Sequence, residues 1–370
     1  MLSLLEGMPS DVEVVVACPE GPLAEAVSEL GIRCRRLRGT AGSLRLHPRH
    51  TPRAVGELMR DSFELLGVVR AEAPDLLHAN SFRAGLLAAP IARLTGRPLA
   101  AHAHDVLPEG LASRAVVRAI DWGARVWLAN SRHTERSLRL LGARTPGHVV
   151  LNPVDLRRFD PGVASQPEAR ARLGLATAGP VLAAVGQITP WKGQDVAIRA
   201  LASLVPDWPN LRLVIAGSPK FTAEATRFDN RAYLAEIKGL TRRLGVTDNV
   251  VFLGEQGDVP LVMRAADAVL VPSWEEPFGL VVIEAMALEV PVVATAVGGP
   301  SEVIVDGESG LLAPPRDPER WAAAVRRLLA DAGWREELGR RGAERARAEF
   351  SLPAYVERVR AAYDAALAGR

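Results

Sequence analysis

The chain has 370 residues, too many for one ordinary hydrophobic core, so two domains are expected. Hydrophobic residues at 48% and charged residues at 24% exclude a disordered chain, and 45 basic against 43 acidic side chains exclude the basic excess of a dedicated nucleic-acid binder. The two cysteines, Cys18 and Cys34, match no metal or redox spacing, which points to a reducing, cytosolic compartment.

No apolar run approaches the roughly 20 residues that span a bilayer. Residues 1–7 are short and carry Glu6, so they lack the form of a signal peptide. Peripheral contact with the inner membrane face stays open. Arg33, Arg35, Arg36 and Arg38, with Arg45, Arg49, Arg53 and Arg60 nearby, are either a solvated surface or a meeting point for anionic lipid headgroups or a lipid-phosphate acceptor.

In chain order, strand candidates in the first half are 12–17, 75–79, 98–103, 125–130 and 148–151. Residues 174–180 (GLATAGP) suit a hinge. The second half is clearer: the runs 180–186, 211–217, 249–254, 268–273 and 291–296 are β-branched and bounded by Gly, Pro or Ser. Amphipathic stretches 193–205, 229–245, 279–289 and 317–330 separate them, and a final helix is expected over 354–368. Continuous apolar strands are buried on both faces, hence a parallel sheet covered by helices, an α/β Rossmann-like domain. One large α/β sheet is the alternative to two such domains.

Ligands of these sheets sit where strands turn into helices, and three turns carry chemistry. The first is Gly186-Gln187-Ile188-Thr189-Pro190-Trp191-Lys192-Gly193, in which glycines let backbone approach an anion and Lys192 brings a flexible charge, a combination suited to a diphosphate. The second runs from Pro272 to Leu280 into a helix: Gly279 and Leu280 would leave backbone N–H groups free at its start, and Glu276 and Glu284 flank that start. Either the glutamates serve a ligand or Glu284 faces solvent and Glu276 favours the helix terminus. The third, Gly298-Gly299-Pro300-Ser301-Glu302, permits close backbone approach or is a simple tight turn. Among the histidines, His102 precedes His104 by two residues on one strand face, but a metal site would need a third ligand that the sequence does not reveal; His78 ends a strand, and His47, His50, His133 and His148 fall in surface or loop positions.

Glu276-Pro-Phe-Gly-Leu-Val-Val-Ile-Glu284 resembles the Glu-x7-Glu signature of retaining GT-B glycosyltransferases of family 4 (group 1). Gly186…Lys192-Gly193 is similar to that family's diphosphate loop, and Gly298-Gly299-Pro300…Glu302 to its following turn. His104-Asp105, Asn130-Ser131 and Asn152-Pro153-Val154-Asp155 fit the pattern too, so the resemblance spans about residues 12–368. It implies the GT-B fold: two Rossmann-like domains across a cleft, an acceptor-side domain 1–173 completed by a returning helix 354–370, and a donor domain 174–353. It further implies a donor site of Gly186, Gln187, Lys192, Gly193, Phe278, Gly279, Leu280 and Glu284, with Lys192 on the diphosphate and Glu284 on the ribose hydroxyls. Glu276 and His104 would meet the donor sugar, making Glu276, His104 and Lys192 the catalytic group.

The partners implied are a UDP- or GDP-sugar and an unidentified acceptor, lipid-linked acceptors included, with no nucleic acid. Two departures stand out. Gln187 replaces the arginine usual in the diphosphate loop, and the family's first strand with its glycine-rich acceptor loop is missing ahead of 12–17. No Asp-x-Asp occurs, so no metal or other cofactor is expected, and charge on the departing nucleotide would be offset by Lys192 and the helix terminus. Alternative readings are a catalytically degenerate binding subunit of the same fold and a nucleotide-sugar 2-epimerase.

Overall fold

The computed structural model describes residues 1–39, 51–175, 179–220 and 227–368. Its contacts divide the chain into two compact units, Met1–Pro153 with Leu352–Arg370, and Val154–Ser351.

In the first unit β1 (Val15–Pro19) pairs in parallel with β2 (Arg33–Leu37) as a separate two-stranded sheet. A four-stranded parallel sheet follows in the order β3 (Leu77–Ala79), β4 (Leu99–Ala103), β5 (Val126–Ala129), β6 (Gly147–Val149). Every residue of β4 and β5 is buried, as their unbroken apolar sequences require of strands covered on both faces. Alternate side chains divide between two cores. Ala101, Trp127 and Ala129 meet Val117, Ile120 and Leu138 from helices Leu111–Gly123 and Arg132–Leu140. Ala100, Val126 and Leu128 meet Tyr355, Val356, Val359 and Ala362 of the C-terminal helix Leu352–Ala368.

Strand β2, Arg-Cys-Arg-Arg-Leu, escapes an apolar reading because only Leu37 is buried. Its cations are matched locally: Arg33 pairs with Glu13 and Glu72, Arg35 with Glu72, Arg36 with Glu20, and the following Arg38 with Glu64. The arginine cluster is therefore largely neutralised within the unit, which runs against a bare cationic surface for lipid. Arg45, Arg49, His47 and His50 lie outside the described residues, as does the side chain of Arg53. Among the described residues no helix is long and apolar enough to cross a membrane.

The second unit holds β7 (Val181–Val185), β8 (Arg212–Ala216), β9 (Val250–Gly254), β10 (Ala268–Val271), β11 (Val292–Thr295) and β12 (Leu311–Ala313). They form one parallel sheet in the order β12-β11-β10-β7-β8-β9. Chain order runs outward one way from β7 and the other way from β10, so the switch point, where such folds bind ligands beyond the carboxyl ends of strands, lies between those two.

The boundary differs from the expected residue 174. The segment 154–173 packs with the second unit because Gln166 Nε2 and Arg170 Nε donate to the carbonyls of Ala266 and Ala265 at 3.0 and 2.9 Å, and Arg170 also pairs with Asp267 at 2.7 Å. Of the stretch 174–180, residues 176–178 lie outside the described residues.

Candidate active site

The turns after β7 and β10 meet at the switch point, and that after β11 joins them. Trp274 donates its backbone N–H to the Trp191 carbonyl at 2.8 Å, and Gly193 lies so close that a Cβ there would sit 2.0 Å from the Pro272 carbonyl oxygen. Glu276 donates its N–H to the Val297 carbonyl at 3.3 Å and accepts from the Gly299 N–H at 2.8 Å, while a Cβ at Gly298 would lie 2.2 Å from the Glu276 oxygen. These glycines thus permit loop-on-loop contact. Gly186 differs: a Cβ there would meet nothing within 4 Å, so its α-carbon side is open although its N–H is given to the Ala216 carbonyl at 2.9 Å.

At the centre, Lys192 Nζ lies 2.7 Å from Glu276 Oε2, and Ser273 Oγ donates to the same oxygen at 2.8 Å. Glu276 and Ser273 are buried, so removing either donor would leave a poorly solvated charge. The Lys192 ammonium also lies 4.2 Å from the centre of the Trp191 ring, where the π face attracts it. Gln187 turns its side-chain amide to the Lys220 carbonyl at 3.2 Å, and its own carbonyl accepts from Gln194 Nε2 at 2.9 Å.

Gly279, at φ +98°, opens helix Leu280–Ala287. Among the described residues neither Gly279 nor Leu280 donates its N–H to another backbone group, so the positive helix end carries unspent donors. The Phe278 side chain is buried, edge-on to Phe350 with ring centres 6.0 Å apart; it anchors the turn from beneath. Glu284 is half-buried on this helix, and burial pushes its carboxyl up to about 7 against the pull of Arg158. Arg158 had no place in the sequence reading. Asp155 positions it, accepting from the N–H groups of Arg157 and Arg158 at 3.0 and 3.3 Å, so the Asp155 turn was the available signal. Ser273 was given no role either, although it lies in the same turn as Glu276.

His104 belongs to the first unit, whereas Lys192, Glu276 and Glu284 belong to the second. Asn130 Nδ2 holds the His104 carbonyl at 2.8 Å, Asn130 Oδ1 accepts from Thr134 Oγ1 at 2.8 Å, and Ser131 caps helix Arg132–Leu140. Burial lowers the His104 ring to about 4, which keeps it neutral. His102 stacks on it with centroids 4.0 Å apart, and His78 approaches His102 edge-on at 5.4 Å. His78, expected only as a residue ending a strand, is thus a third histidine beside His102, yet among the described residues no group of three or more His, Cys, Asp or Glu could hold a metal ion.

Residues 165–345 match the family model of glycosyl transferases group 1, and residues 1–158 that of glycosyltransferase family 4. The D-inositol 3-phosphate glycosyltransferase of Actinosynnema mirum is 38% identical over 323 residues, covering 80% of this chain and 75% of its own. Its namesake from Salinispora arenicola is 37% identical over 332 residues, with 82% and 72% covered. Among solved structures, sucrose-phosphate synthase from Thermosynechococcus elongatus superposes with a TM-score of 0.76 at 26% identity over 98% of this chain and 87% of its own. Anabaena Alr3699/HepE, in complex with UDP-glucose, shares the fold at a TM-score of 0.82 and 24% identity, covering 98% and 95%.

Proposed function

Because the chain belongs to the group 1 (family 4) glycosyltransferases of GT-B fold, we propose that it is a retaining enzyme that takes its sugar from a nucleoside diphosphate sugar without a metal ion. The carrying observation is the constellation at the switch point: Lys192 and Glu276 in contact, beside an open Gly186 and the start of helix Leu280–Ala287. Lys192 and the N–H groups of Gly279 and Leu280 take the diphosphate, whose charge rises as the sugar departs. Glu276 serves the sugar, Glu284 the ribose hydroxyls, and His104 is the first unit's contribution to the sugar. Front-face attack, with the leaving phosphate oxygen receiving the acceptor proton, needs no further carboxylate.

Anabaena Alr3699/HepE in complex with UDP-glucose supports UDP-glucose as the first donor to test, and the names of the relatives make D-inositol 3-phosphate the first acceptor. Transfer or donor hydrolysis should survive thorough chelation, with a product of retained anomeric configuration by NMR. Loss of activity on chelation, restored by magnesium or manganese, would refute metal independence; an inverted product would refute front-face retention. Donor binding without any turnover would favour the non-catalytic subunit.

A further inference from the structure

With Asn80 Oδ1 as the atom facing the two rings, the hydrogen bonds around His104 in the first unit are satisfied by one set of proton positions. His104 Nε2 lies 2.9 Å from Asn80 Oδ1, an oxygen that can only accept, so Nε2 carries the ring's proton. The same oxygen is met at 3.4 Å by His78 Nε2, which must also be the protonated nitrogen. A neutral His78 then presents Nδ1 as an acceptor, and there the Tyr363 hydroxyl stands at 2.9 Å. Tyr363 holds its proton, because burial raises its pKa. Each group thus offers the donor or acceptor its neighbour needs, and both lone pairs of Asn80 Oδ1 are filled. His102, itself buried, has neither ring nitrogen hydrogen-bonded and fills the space behind His104 as a neutral ring.

We propose that Asn80 is a positioning residue that presents His104 as the neutral Nε2–H tautomer, and that Tyr363, through His78, ties this setting to the C-terminal helix. In that tautomer the ring's Nδ1 carries no proton, so it can accept a hydrogen bond but cannot protonate a sugar hydroxyl. The backbone is held separately by Asn130 at the His104 carbonyl, so the role given to Asn80 concerns the ring and not the main chain. Asn152 also hydrogen-bonds the ring, which gives it a second lateral support. The proposal rests on the assignment of His104 to the donor sugar.

Two measurements on the full chain separate that assignment from the proposal. The first is nitrogen NMR of 15N-histidine-labelled protein, with His78, His102 and His104 assigned by single substitutions. Wild-type His104 should show a protonated Nε2 and a bare Nδ1, and Asn80→Ala should give a mixture or average of tautomers. A pure Nε2–H signal that persists in Asn80→Ala, or a wild-type Nδ1–H form, overturns the proposal. Tyr363→Phe deletes one hydroxyl and keeps the packed ring; an unchanged His78 tautomer in that variant overturns the link to the helix.

The second measurement is UDP-glucose hydrolysis. Asn80→Ala should lower kcat roughly ten- to a hundredfold with little change in KM, the signature of a misplaced group. Combined with His104→Ala it should do no further damage, since residues acting as one unit are not additive. Losses that multiply in the double variant overturn the proposal. If His104→Ala keeps the wild-type kcat, the sugar assignment fails, while the nitrogen spectra still decide whether Asn80 sets the ring.

Discussion

Glu276 and Glu284 lie on one turn and the helix it enters, yet meet opposite surroundings. Glu276 Oε2 is engaged by Lys192 and Ser273, while burial pushes the Glu284 carboxyl up to about 7 against the pull of Arg158. Glu276→Gln should lower kcat steeply and leave UDP affinity nearly unchanged, because UDP has no sugar; Glu284→Gln should chiefly raise the donor KM. Similar kinetics in the two variants would contradict this division. The Glu284 shift also has a definite sign. Between the ordinary 4.5 and about 7 the folded chain keeps a proton that the unfolded chain has lost, so this group's stabilisation is full below 4.5 and gone as pH rises through 7. With Glu284 on the ribose as proposed, donor affinity should run the other way, since a carboxylate accepts from hydroxyls more strongly than a carboxylic acid. UDP-glucose binding should weaken about tenfold from pH 8 to pH 6 by calorimetry, and the dependence should flatten in Glu284→Gln. UDP-glucose is the better probe than UDP because the sugar ester removes the phosphate ionisation near about pH 6. Gln187→Arg should tighten diphosphate binding by about 1–3 kcal/mol if the new cation leaves the Lys220 carbonyl for the open side of the loop; an unchanged affinity means the side chain stays where Gln187 now points.

Elements that are apolar along their whole length were legible, because a strand buried on both faces needs nothing else. The runs 211–217 and 291–296 became β8 and β11, trimmed by one residue at each end. Strand β2 was not legible: with only Leu37 buried it lacks an apolar run, and it is placed by parallel pairing with β1, with ion pairs to Glu13, Glu20 and Glu72, partners apart from it in the chain. The segment 154–173 was misassigned for the same reason, since its partners Ala265, Ala266 and Asp267 are distant in sequence. Glycines expose the same limit within the site. Gly186 and Gly193 read alike, but one faces open space and the other the Pro272 carbonyl. Gly193→Ala combines that clash with a φ of +69° and should cost about 2–4 kcal/mol in urea unfolding. Wild-type stability would mean that the two loops part without penalty. The pairing of Lys192 with Glu276 was beyond sequence, although both residues were named from it, because it depends on the β7–β10 adjacency.

For the molecule as a whole, the C-terminal helix is a structural part of the first unit. Val359 and Ala362 are fully buried against the face of β4 and β5 that carries Ala100 and Leu128. Ending the chain after Ser351 should strip that face, raise binding of a hydrophobic dye, and lower the first thermal transition. An unchanged melting profile without dye binding would show that the sheet tolerates exposure. The loops proposed to hold the nucleotide lie wholly within Val154–Ser351 and should keep UDP affinity in the shortened protein.

This division has a consequence for how the protein is made. The second unit is one unbroken stretch, so a ribosome can deliver it complete, and domains generally fold as they emerge. The first unit is begun earlier yet closes only when Tyr355, Val356 and Val359, which follow the second unit in the chain, leave the exit tunnel. Birth order and folding order are therefore reversed. Until then the four-stranded sheet waits with one apolar face uncovered, the kind of transiently exposed surface on which chaperones act.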